Sequence, residues 1–186
     1  MSRFKTIAPE SATGKARDLL EAVQAKLGLV PNMVRAMANA PAVLDGYLSL
    51  SEALEKGRLS ARMREQLALA VGQANRCDYC VAAHVAIGRT VGLTADQIRD
   101  SRLGTAVDSK ADALIRFARK LLDACGRVTD GDVEEIREAG FDDGVIAEVV
   151  AHVALNIFTN YFNHVAGTSI DFPKVPSLAP EPTTKA

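Results

Sequence analysis

The chain has almost no excess charge: 22 lysines and arginines stand against 23 aspartates and glutamates, a formal net charge of −1. That balance gives no electrostatic reason to expect nucleic acid or an anionic membrane as a partner. Cysteine is scarce, with three in 186 residues. Three cysteines in a reducing compartment cannot be a disulfide framework, and a close pair there is more often catalytic or metal-binding. The opening segment, MSRFKTIAPESATGK, lacks the apolar stretch of a leader peptide. No run of about 18 apolar residues suggests a bilayer span. The cytoplasm is therefore the expected location. Sustained apolar–polar alternation with β-branched enrichment is also missing, which argues against a sheet.

What is present is an ordinary globular composition, 48% hydrophobic and 24% charged. A chain of this length buries about 70% of its unfolded surface without staples, so one domain spanning residues 1–186 is expected. Helical periodicity dominates, and glycine, proline and capping residues divide the chain into eight or nine helices. Gly28 closes a first helix from Thr13, a short helix follows Pro31, and another runs from Pro41 to Lys56. Ser60 caps the next, and Thr94 with Gln97 reads as a capping box. Two more are expected at 110–124 and 130–139. Cys125, at the end of FARKLLDACGRV, is expected to be a small buried hydrophobe. The last helix, from Asp143 to Val165, is apolar nearly all round, which suits a bundle centre or a subunit interface. Residues 172–186 hold four of the seven prolines and read as an extended tail.

The chemistry-bearing residues concentrate in SARMREQLALAVGQANRCDYCVAAHVAIGR, residues 60–89. Cys77 and Cys80 form a CxxC pair, His84 follows one helical turn later, and Glu65 precedes Cys77 by twelve residues. A helix beginning at the first cysteine puts Cys77, Cys80 and His84 on one face. Paired thiols can cycle between dithiol and disulfide, and a neighbouring imidazole can take a thiol proton to leave the reactive thiolate. The preceding helix is expected to turn Arg62, Gln66 and Gln73 to solvent and Glu65 inward. A tight turn at 75–77 then makes an antiparallel hairpin. At about 1.5 Å per residue, Glu65 lies about 15 Å before that turn and His84 about 10 Å after it. The two side chains can therefore meet, forming a Glu–His–Cys proton relay.

Other readings of these residues exist. Zinc could take Cys77, Cys80 and His84, but a structural site wants four ligands and no second CxxC or CxxH occurs. Haem attachment needs histidine directly after the second cysteine, where Val81 stands, and a thioredoxin-like CxxC belongs to a βαβ context. Glu148, His152, Asn156, Asn160 and His164 recur every four residues along the last helix. That stripe drifts around the helix, so a buried hydrogen-bond network suits it at least as well as a site wall.

The spacing of Glu65, Cys77-Asp78-Tyr79-Cys80 and His84 resembles the core motif of the alkyl hydroperoxidase D family, within the carboxymuconolactone decarboxylase-like superfamily. GLVPNMVRAMANAP and NYFNHVAGTSIDFP extend the resemblance to its peroxidase-related branch. The resemblance implies an all-α helical bundle with the CxxC at the start of a central helix, assembled as a homo-oligomer, trimer or hexamer. It implies Cys80 as peroxidatic thiol, Cys77 as resolving thiol, and His84 with Glu65 as the proton relay. Tyr79 stands where members reduced through lipoyl groups often carry histidine. The expected function is a thiol-dependent peroxidase with no cofactor or metal, taking a hydroperoxide and an external thiol reductant. The alternatives are a general disulfide reductase and a non-enzymatic redox-sensing or binding oligomer.

Overall fold

In the computed structural model, which describes residues 2–178, the described residues form nine α-helices and a 3-10 turn at Pro9–Ser11, with no strand. The helices are α1 (Gly14–Leu27), α2 (Asn32–Met37), α3 (Pro41–Glu55), α4 (Ala61–Ala74) and α5 (Asp78–Thr90). They continue with α6 (Ala95–Leu103), α7 (Ser109–Asp123), α8 (Asp130–Glu138) and α9 (Asp143–Ala166). The protein is thus an all-α bundle, and the boundaries follow local capping chemistry. The Ser60 hydroxyl accepts from the Met63 amide at 3.3 Å. Thr94 and Gln97 cap each other reciprocally, as do Thr129 and Asp132. Each such cap satisfies donors that a helix start leaves unpaired and is worth about 1 kcal/mol.

Helix α4 is the hub. It packs against α5, α6, α7 and α9, and every residue from Gln66 to Gly72 is buried. Leu67 and Val71 meet Leu114 and Val149 in one interior cluster, while Leu69 faces another with Val81 and Val85; Leu67, Leu69, Val71, Leu114 and Val149 are all at 0% exposure. Side chains of that kind each contribute about 1.5–3 kcal/mol on burial. Enclosure on so many sides narrows the expected solvent face of this helix, leaving Gln73 half-buried. Arg62 is exposed, but Gln66 is 6% exposed and inside.

Helix α9 lies along α3, α4, α5 and α7. Over its 24 residues it is long and apolar enough, by length and composition, to cross a membrane, contrary to the expectation that no such run exists. It is instead a core helix of the bundle: His152, Asn156, Thr159, Asn160 and Asn163 are all buried along it, and the opposite flank stays open. Val150, Phe158, Tyr161 and Val165 are exposed there, within an arc of about 80° at 3.6 residues per turn.

Two further expectations need revision. Cys125 is exposed rather than buried. It is the left-handed residue (φ 51°) that closes α7, its amide bonding Leu122 O while the Gly126 amide bonds Leu121 O. That closure turns the chain out of the bundle before the cysteine. The tail is irregular, as expected, but its first part is docked. Asp171 accepts from the Asn32 amide at 2.6 Å, Phe172 packs edge-on against Tyr79, and Pro176 O accepts from Arg102 at 3.1 Å. Residues 179–186 of that tail lie outside the described residues.

Candidate active site

The turn between α4 and α5 builds the site. Arg76 is left-handed (φ 54°), its amide bonds Gln73 O, and the Cys77 amide reaches back to Gly72 O at 2.9 Å. This pair of bonds closes α4 in the manner usually given to glycine. It reverses the chain so quickly that Cys77 is already the N-cap of α5, its Sγ accepting from the Cys80 amide at 3.3 Å. Cys80 is the third residue of that helix. The two cysteines are disulfide-bonded, with Cα atoms 5.3 Å apart.

Because α5 folds back along α4, Glu65 and His84 converge from opposite sides of the turn. His84 Nδ1 lies 2.8 Å from Glu65 Oε2, with the side chains 22% and 14% exposed. A carboxylate on Nδ1 holds the proton there and leaves Nε2 as the basic nitrogen. Among the described residues Nε2 has no hydrogen-bond partner.

The sulfurs are more enclosed than their place at a helix start suggested. Cys77 is 2% and Cys80 3% exposed. They sit in an apolar cluster with Met33, Val34, Met37, Leu44 and Tyr79, against which Phe172 packs. The Tyr79 hydroxyl accepts from the Met33 amide at 3.2 Å. Burial pushes its phenol far up from the usual range, so the ring is neutral. Asn163, near the end of α9, donates from Nδ2 to Cys80 Sγ at 3.3 Å and to Met33 Sδ at 3.2 Å. Sequence reasoning missed this residue. It falls one position off the four-residue stripe, and among the other amides of this helix nothing in the spacing marks it out.

The stripe itself divides. Glu148 accepts from the Arg58 and Leu59 amides and holds the α3–α4 loop. Asn156 bonds the His152 carbonyl. Asn160 accepts from Asn75 at 2.8 Å, and exposed His164 bonds the Asn75 carbonyl at 2.9 Å through Nε2. The last two tie α9 to the turn that carries Cys77, so these members have a structural task. Burial pushes the His152 imidazole down from its ordinary range, with Arg64 adding and Glu148 and Glu65 opposing. The Tyr47 phenol is pushed up to about 12 by burial, reinforced by Glu55 and Glu65.

No group of three His, Cys, Asp or Glu side chains among the described residues is arranged to hold a metal ion. Chemically, the assembly offers a reversible dithiol–disulfide couple beside an acid–base pair. A surface depression lined by Arg58, Phe141, Asp142 and Asp143 lies elsewhere, and its charges are paired: Arg58 with Asp142 and Arg137 with Asp143.

Residues 41–124, which contain Glu65, Cys77, Cys80 and His84, match the model of the carboxymuconolactone decarboxylase family. A Paracoccus denitrificans protein described as uncharacterized protein 4 in cox locus is 32% identical over 79 residues, 42% of this chain and 70% of that one. A solved structure from Ralstonia eutropha JMP134, an uncharacterized peroxidase-related protein with an alkylhydroperoxidase AhpD core, superposes with a TM-score of 0.81. The two are 30% identical over 91% of this chain and 92% of the other. The debrominase Bmp8, solved with 2,3,4-tribromopyrrole, shares the fold at a TM-score of 0.74 and 14% identity, over 89% of this chain and 90% of its own. With the motif, the bundle and these relatives in agreement, the chain belongs to the AhpD/carboxymuconolactone decarboxylase superfamily.

Proposed function

We propose that the protein is a thiol-dependent peroxidase that reduces hydroperoxides through the Cys77–Cys80 couple. The observation that carries this reading is the placing of that disulfide one helical turn from a hydrogen-bonded Glu65–His84 pair. In the reduced form, His84 Nε2 takes the Cys80 proton and the thiolate attacks the hydroxyl oxygen of R–O–OH. The S–O bond forms, the O–O bond breaks, and the alkoxide leaves as ROH with the proton returned through His84. The Cys77 thiol then displaces the sulfenic oxygen as water, forming the disulfide. An external dithiol, itself oxidised to a disulfide, restores both thiols. Its access requires movement of the groups that cover the sulfurs, because both cysteines are almost wholly enclosed in the oxidised form.

The roles of the two cysteines are tested by mixing reduced variants with hydrogen peroxide or an organic hydroperoxide. Cys80→Ser is expected to abolish consumption. Cys77→Ser is expected to react once and accumulate a sulfenic acid that a dimedone probe traps on Cys80. A helix N-terminus also favours a thiolate at Cys77, so trapping on Cys77 in Cys80→Ser would reverse the assignment. Absence of peroxide consumption by the reduced wild type would remove the peroxidase reading.

A further inference from the structure

We infer that Asn163 is a catalytic residue of this site: its amide stabilises the Cys80 thiolate and receives the O–H of the attacking peroxide. The inference rests on the peroxidase reading for its second half and stands independently of it for the first. The amide orientation follows from chemistry. Both neighbours of Nδ2, Cys80 Sγ and Met33 Sδ, lack a hydrogen to donate in the disulfide and thioether forms. Only the nitrogen end can face them with favourable sign. Asn163 is 4% exposed, so the donor works in a medium of low polarisability. When Cys80 is reduced, the same N–H meets a negative sulfur. A donor aimed at the charged form lowers a thiol's pKa, and this one lowers it more strongly for being desolvated.

The other end of the amide is unusual. Asn163 Oδ1 is buried and has no hydrogen-bond partner among the described residues. A buried amide oxygen left without a donor costs free energy comparable to a lost hydrogen bond. The backbone beneath it is fixed, since the main-chain carbonyl of Asn163 accepts from the Gly167 and Thr168 amides at the end of α9. An acceptor on the same planar amide as the donor to Cys80 fits one class of substrate, which carries its hydrogen on the atom that sulfur attacks. In R–O–OH that atom is the hydroxyl oxygen, and the same hydrogen persists in the Cys80 sulfenic acid. Dialkyl peroxides and disulfides lack it. Asn163 thereby selects hydroperoxides over other electrophiles of similar reactivity.

The test uses the full chain with Cys77→Ser and Cys125→Ser, leaving Cys80 as the single thiol. Thiolate absorbance is followed against pH with and without Asn163→Leu, and folding is checked by circular dichroism. The Cys80 titration is expected to move up by about one to two pH units. No movement overturns the donor role. Above both titrations, where the thiol is fully ionised, second-order rates are compared for an organic hydroperoxide and for methyl methanethiosulfonate, which carries no donor. The hydroperoxide rate is expected to fall about tenfold or more relative to the thiosulfonate rate. An equal fall for both overturns the acceptor role. Asn163→Asp, which keeps an acceptor and replaces the donor with a charge, serves if the leucine variant does not fold: its titration moves up as well, and an unmoved titration overturns the donor role. A reduced wild type that ignores hydroperoxide while its titration shifts in the variant overturns the peroxidase reading and the acceptor role together, leaving the donor role established.

Discussion

Replacing Glu65 with glutamine separates the chemical role of the relay from its structural one. The carboxylate sits 2.8 Å from His84 Nδ1 with both side chains mostly buried. Glutamine fits the same space, and its carbonyl oxygen still accepts from Nδ1–H. The structural loss is the difference between a charge-assisted bond and a neutral one, about 1 kcal/mol. For a domain of this size that lowers the melting temperature by about 2–4 °C. The chemical loss is larger. An amide cannot take up a proton as a carboxylate can, so the relay from Cys80 through His84 is cut at its far end. General acid–base steps of this type are worth about 10²–10⁴-fold. Glu65→Gln is therefore expected to keep its helical circular dichroism and oligomer size while the peroxide rate at neutral pH falls about 10²-fold or more. Stopped-flow peroxide kinetics beside a thermal melt measure both quantities on one preparation. An unchanged rate in a folded variant would make Glu65 a structural partner of His84 and nothing more.

Two further outcomes follow from surfaces and burial. The exposed flank of α9, with Val150, Phe158, Tyr161 and Val165, is an apolar stripe of the kind that marks an interface. The chain is expected to form a homo-oligomer, trimer or hexamer, through it; Tyr161→Glu should reduce the mass seen by light scattering, and a wild-type monomer at micromolar concentration would refute the interface. Burial depresses the proton affinity of His152 in the folded protein. Below about pH 6.5 the unfolded chain binds a proton there more readily than the folded chain does, so this contribution to stability is present above that pH and is lost as pH falls. His152→Leu should flatten the acid side of a plot of melting temperature against pH, and an unchanged slope would assign the acid loss to other groups.

The family match at 41–124 and the shared bundle explain why so much of the chain could be read without coordinates. Features set by neighbours within a turn or two of helix were legible: the caps at Ser60 and at Thr94 with Gln97, and the succession of helices. The Glu65–His84 contact was legible for a related reason, because one tight turn and a fixed rise per residue leave little freedom in the register of a hairpin. Gln66 was misread because its surroundings come from four other helices and not from its own. Cys125 was misread because a left-handed closure turned it away from the core that its helix pattern pointed to. Asn163 reaches Cys80 across 83 residues of sequence, and no periodicity within α9 encodes that distance. Local propensity and spacing thus determined which helices form and where the thiols, the imidazole and the carboxylate lie along them. Only tertiary packing decided which of those groups are enclosed and which amide meets the sulfur, since those outcomes depend on how separate helices share one interior.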